Sequence, residues 1–120
     1  MSPRTIGRIA AAGRVLFGSA LTVAPASGAG WIGDESGESP VTVYSRALGV
    51  RDAAIGVGVL AAGDSDKLRP WLLAGIASDI VDFAATLEAR EDLPSLGRNA
   101  VPLIAGGSAL LGAWLLTRLD

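Results

Sequence analysis

Cysteine and histidine are both absent from these 120 residues. Their absence excludes disulfides, thiol catalysis, Cys/His metal sites, His-ligated haem and any Ser-His-Asp triad. Charge is also scarce, at 18% of residues, where an average soluble domain carries about 25%. The formal net charge is only −2 and the basic residues form no cluster, so nucleic-acid binding is not expected. What remains is apolar: half of the residues are hydrophobic and the mean hydropathy is +0.45. A chain of this length makes one domain, residues 1–120, with one core, and its balance leans toward a lipid bilayer.

Four apolar segments stand out, over residues 6–24, 41–62, 70–87 and 101–116. Each approaches the ~20 residues that cross a bilayer core, the last being the shortest. The connections are rich in breakers and charge, and Ser39-Pro40 and Arg69-Pro70 place proline at or before a first helical turn. The expected fold is all-α: a four-helix transmembrane bundle running up-down-up-down. Arg4 and Arg8 ahead of an apolar stretch resemble a secretory signal, but Arg14 interrupts the apolar core, which favours a retained first span. Counting Lys and Arg, one side holds Arg4, Arg8, Lys67, Arg69 and Arg118, and the other only Arg90 and Arg98. That bias predicts a multi-pass protein of the inner (plasma) membrane with both termini cytoplasmic. Trp31, Trp71 and Trp114 suit interface positions. Gly28-Ala-Gly-Trp-Ile-Gly33 has a dinucleotide-like glycine spacing but follows proline rather than a strand, and reads as a loop.

The charges inside the apolar segments are the informative feature. At 1.5 Å per residue from the predicted cytoplasmic ends, Arg14, Arg51, Asp52, Asp79 and Asp82 all fall at about 12–18 Å. Arg46 and Glu88 fall further out, at about 24 and 27 Å. An unpaired charge at the bilayer centre costs about 2.5–3.5 kcal/mol even on a lenient scale, so pairing is required. The expected arrangement is a balanced layer in which Arg14 and Arg51 bind the Asp79/Asp82 pair and Asp52 completes the network, with Arg46 and Glu88 as an outer pair. Such a layer either fixes helix register or forms an ion or small-molecule site around the two carboxylates. Small residues recur at helical spacing, as in Ala105, Ala109 and Ala113 or Gly49, Ala53 and Gly56, which permits close helix approach and association with a second copy or a membrane partner. No catalytic residue, metal or cofactor is expected.

Three stretches carry a family likeness: Gly13-Arg14-Val-Leu-Phe-Gly18, the run Arg46-Ala-Leu-Gly-Val-Arg-Asp-Ala-Ala-Ile-Gly56, and Ala77-Ser-Asp-Ile-Val-Asp82. Together they resemble a group of small bacterial four-helix membrane proteins that carry a domain of unknown function. Gly49-Val-Arg-Asp52 is the most specific piece. In plan the chain is also similar to the DoxX-like membrane proteins. The resemblance implies an integral membrane protein and implies no reaction.

Overall fold

Ser2 opens the first helix by accepting a hydrogen bond from the Thr5 amide at 3.2 Å, with Pro3 in the first turn. In the computed structural model, which describes residues 1–119, this helix α1 covers Pro3–Val23. A four-residue helix α2 follows at Ala29–Ile32, then α3 at Ser39–Ala61, α4 at Ser65–Glu88 and α5 at Ser95–Leu116. Short 3₁₀ turns occupy Pro25–Gly28, Asp34–Gly37 and Arg90–Asp92, and no strand occurs among the described residues.

The all-α expectation stands, but the four-helix transmembrane bundle does not. Among the described residues there are five α-helices, and three of them (α1, α4 and α5) are long and apolar enough to cross a membrane. Two physical causes account for the difference. The stretch read as a loop coils into α2 because Gly28 and Gly33 bracket a turn of helix, the latter with φ 101°. α3 is long enough, but any window of membrane length within it contains Arg46, Arg51 and Asp52 together, more charge than a lone span carries. The boundaries also move at α4. Asp64 caps it by accepting from the Lys67 amide at 2.8 Å, so the helix begins five residues before the expected segment and Pro70 lies inside it.

The buried positions repeat at alternating spacings of four and three. On α1 they are Gly7, Ala11, Gly18 and Leu21, with Arg14 between them on the same stripe. On α3 Ser45, Gly49, Asp52, Gly56 and Val59 follow this spacing, with Ile55 and Gly58 buried beside them; on α4, Leu68, Leu72, Gly75, Asp79 and Thr86 do. A 3.5-residue period gives each helix one narrow seam toward its neighbour, and on α1 and α3 the seams are mostly small or charged rather than bulky. α1 runs along α3 most closely. A Cβ added to Gly18 would lie 2.6 Å from the Ala53 nitrogen, and one on Gly56 2.6 Å from the Ala11 carbonyl oxygen. α4 pairs in the same way with α5, where a Cβ on Gly112 would meet Ile76 at 2.7 Å. The α1–α3 pair and the α4–α5 pair touch each other less.

Large apolar side chains go outward instead. Leu103 is 78% exposed and Leu110 75%, and Leu16, Val43, Val57, Ile80, Val81 and Ile104 are exposed as well. The apolar core proper is small and lies toward one end, where Ala11, Val59, Leu68, Leu72 and Leu115 meet. This basal end carries the N-terminus, the α3–α4 turn and the end of α5. The distal end is closed by α2: Trp31 packs on Phe17, ring centroids 6.3 Å apart, and against Gly97 at the start of α5. The molecule is 45 Å along its long axis, similar to a bilayer with its headgroup regions, about 40–45 Å.

Candidate functional site

The two helix pairs meet at a layer of charge. Arg14 on the α1 seam extends into it, and its two terminal nitrogens diverge. Nη1 donates to Asp52 Oδ1 on α3 at 3.1 Å, while Nη2 donates to Asp79 Oδ2 on α4 and reaches the Gly75 carbonyl oxygen at 3.4 Å. Gly75 permits this: a Cβ there would stand 3.3 Å from Arg14 Nη2. Arg51 performs a parallel task one level outward. Its Nη2 donates to Asp82 Oδ2 on α4 at 2.7 Å and to Asp52 Oδ1 at 3.4 Å. Each guanidinium thus binds two carboxylates and ties α4 to the α1–α3 pair.

Burial makes these contacts consequential. The Asp52 and Asp79 side chains are each 7% exposed and Arg14 18%. Ion pairs with so little water around them are screened far less than surface pairs, which are worth about 0–1 kcal/mol. Arg51 is less enclosed, at 32%, and its Nε is buried without a hydrogen-bond partner. A stranded buried donor of this kind costs about 1–3 kcal/mol, so Arg14 is the better satisfied of the two.

All five residues expected at one level therefore come together, but with different partners. Arg14 does not bind the Asp79/Asp82 pair as a unit. Three residues of helix set those aspartates about 60° and 4.5 Å apart, so Asp79 faces Arg14 and Asp82 faces Arg51. Asp52 is the shared acceptor of both arginines rather than an addition to the network.

The outer pair is corrected outright. Among the described residues no ion pair joins Arg46 to Glu88, and both are exposed. The cause is helical phase. At 100° per residue Arg46 points about 120° away from Asp52, and Glu88 about 180° away from Asp79; depth matched while direction did not. With Arg46 outside, the layer holds two arginines and three aspartates, one carboxylate in excess. Arg46→Gln and Glu88→Gln should each change the unfolding free energy by no more than about 0.5 kcal/mol and act additively. Thermal unfolding of the two singles and the double in detergent measures this, and a coupling above about 1 kcal/mol would restore the pair.

Two cavities adjoin the layer and the basal end. A small one of about 70 Å³ is lined by Arg14, Asp79 and Ser108 among apolar neighbours. A larger one of about 270 Å³ opens at the basal end beside Arg4, Arg8 and Arg118. The two share Gly7, Val59, Leu72 and Leu115. Sequence reasoning placed Arg4, Arg8 and Arg118 on one side but foresaw neither the cavity they border nor Ser108 as a lining residue. The available signal was the 4-3 spacing of small residues passing through Arg14 and Asp52, which marks seam positions and hence inward-facing charge. Among the described residues no cluster of acidic side chains is arranged to hold a metal ion.

Comparison of the chain with protein families, with curated proteins and with solved structures finds no match in any of the three.

Proposed function

We propose that the chain is a small, non-enzymatic integral membrane protein, a structural or accessory subunit that associates with a second copy or with another membrane protein. Its place would be the inner (plasma) membrane, multi-pass, with the basal end of the molecule facing the cytoplasm. One observation carries the reading: the two arginines of the layer are both spent on carboxylates, so the charge serves to join helix pairs inside an apolar exterior. Buried ionic groups contribute little net stability compared with well-packed apolar ones, and their value here is to fix which helices pair and in which register. The outward Leu, Ile and Val side chains suit lipid or a partner helix. The Lys/Arg bias supports the orientation, and the likeness around Gly49-Val-Arg-Asp52 supports a place among small bacterial membrane proteins. After gentle solubilisation, size-exclusion chromatography with light scattering should find the chain in a particle larger than one copy. A monodisperse monomer without a co-purifying protein would remove the reading.

A second reading is favoured by the excess carboxylate and by the residues that the two cavities share. In it, the chain is a component of an ion or proton transport path, with Asp79 and Asp82 exchanging the ion and the basal cavity giving access. Proteoliposomes loaded with a pH-sensitive dye separate the two. Transport requires a flux that Asp79→Asn and Asp82→Asn abolish, whereas the structural reading expects no flux from the wild type.

A further inference from the structure

The basal cavity carries a feature that the charge layer leaves unused. Arg4 and Arg8 from the first turns of α1 and Arg118 just after α5 all border it. Among the described residues none of the three has a carboxylate within 4.0 Å, and no acidic side chain lines the cavity. Two of them are held in place: Arg4 Nη2 donates to Ser65 Oγ at 3.1 Å and Arg8 Nη1 to the Leu60 carbonyl oxygen at 3.0 Å. Arg118 lies over the Trp114 ring, 5.4 Å from its centroid. Each guanidinium has five N–H donors, most of them without a partner among the described residues. Three like charges around one opening repel one another, and a bound anion would offset that cost. The floor beneath them is apolar, formed by Val59, Leu68, Leu72 and Leu115.

We propose that the basal cavity binds an anionic phospholipid, its phosphate held among Arg4, Arg8 and Arg118. The rim supplies the fork geometry that suits phosphate oxygens. The apolar lining selects an amphiphile over a free anion, because the lipid's first acyl carbons cover the half-buried Pro3, Ala62 and Leu119 at the opening, which a soluble phosphate would leave bare. The location fits as well: the cavity is at one end of the long axis, beside Trp114, where headgroups lie. Basic residues at a cytoplasmic membrane surface attract anionic lipid with about fivefold in affinity per side chain. This site rests on the membrane reading above.

The test uses the full chain in a neutral detergent, with phosphatidylglycerol and phosphatidylcholine of identical acyl chains added in equal amounts. Native mass spectrometry counts the bound lipid. The wild type should retain phosphatidylglycerol in clear preference to phosphatidylcholine. Arg4→Gln, Arg8→Gln and Arg118→Gln combined should weaken that retention by on the order of 100-fold, and the same three positions as Lys should keep most of it. Arg98→Gln, at the distal end, should change nothing. Arg118→Gln alone removes no side-chain hydrogen bond and carries the test, at roughly fivefold, if the triple variant does not fold. Equal retention by wild type and folded Gln variants overturns the site, as does complete displacement of the lipid by inorganic phosphate. A chain that stays monodisperse in buffer without detergent refutes the membrane reading instead, and is recognised before any lipid is added.

Discussion

Arg14→Leu is expected to lower the unfolding free energy by about 3–5 kcal/mol, the cost of removing one partner from a buried ion pair. The substitution affects two acceptors at once. Asp79 loses its ionic partner, since its ion pair among the described residues is with Arg14. Asp52 keeps only the longer 3.4 Å contact to Arg51. Both carboxylates are nearly enclosed and cannot turn to water. A second change, Asp79→Leu on the Arg14→Leu background, should therefore recover part of the loss, because an apolar pair can replace an ionic one at little net cost. Arg51→Leu should cost less than Arg14→Leu, given its greater exposure and its unused Nε. Chemical or thermal unfolding in detergent orders the variants. If Arg14→Leu costs under about 1 kcal/mol, or if Asp79→Leu worsens it, the layer does not hold the helix pairs together.

The second large effect comes from single methyl groups. Gly18→Ala, Gly49→Ala and Gly56→Ala should each lower stability by about 1–3 kcal/mol, the usual penalty of overpacking. Their added Cβ atoms meet backbone or a held side chain rather than a flexible chain end: the Ala53 nitrogen for Gly18, Thr22 Oγ1 at 2.6 Å for Gly49, the Ala11 oxygen for Gly56. Thr22 cannot easily give way, because its hydroxyl donates to the Gly18 carbonyl oxygen at 2.7 Å. Gly18 is the tightest of the three, with backbone of Gly49 and Ala53 on every near side, whereas the Cβ at Gly56 would also stand 3.2 Å from Arg14 Cβ, so that moving α1 there lengthens the ionic contacts. Gly13 on the same helix has nothing within 4 Å. Gly13→Ala should be neutral or gain up to about 1 kcal/mol through helix propensity. Melting points that fall equally at Gly13 and Gly56 would mean that helix contact does not set the requirement for glycine.

The long helices were legible because their apolar stretches are long and bounded by proline, glycine and charge. α2 was not, since four residues rich in glycine and alanine carry no period to detect. The early start of α4 was missed because hydropathy marks where lipid-compatible residues begin, whereas Asp64 and its bond to the Lys67 amide mark where helix begins. At the charge layer, rise per residue placed Arg14, Arg51, Asp52, Asp79 and Asp82 at a common height. It could not divide the partners, because that depends on direction, and it drew Arg46 into a pair that its direction forbids. Counting by fours and threes from Gly7 or Ser45 would have kept Asp52 on the inner side and left Arg46 out. Arg118 lies 110 residues beyond Arg8 and 114 beyond Arg4, and only folding brings it to the cavity that the other two border.

Synthesis runs from α1 to α5, so α3 is complete before the acid that answers its arginine exists. Asp82 follows Arg51 by 31 residues. On the membrane reading, α3 is too charged to partition into lipid by itself, and Arg14 with Asp52 can settle only part of the debt. On that reading α3 would enter lipid only in company with α4, and a nascent chain that stops before Asp79 would carry Arg14 and Arg51 against Asp52 alone.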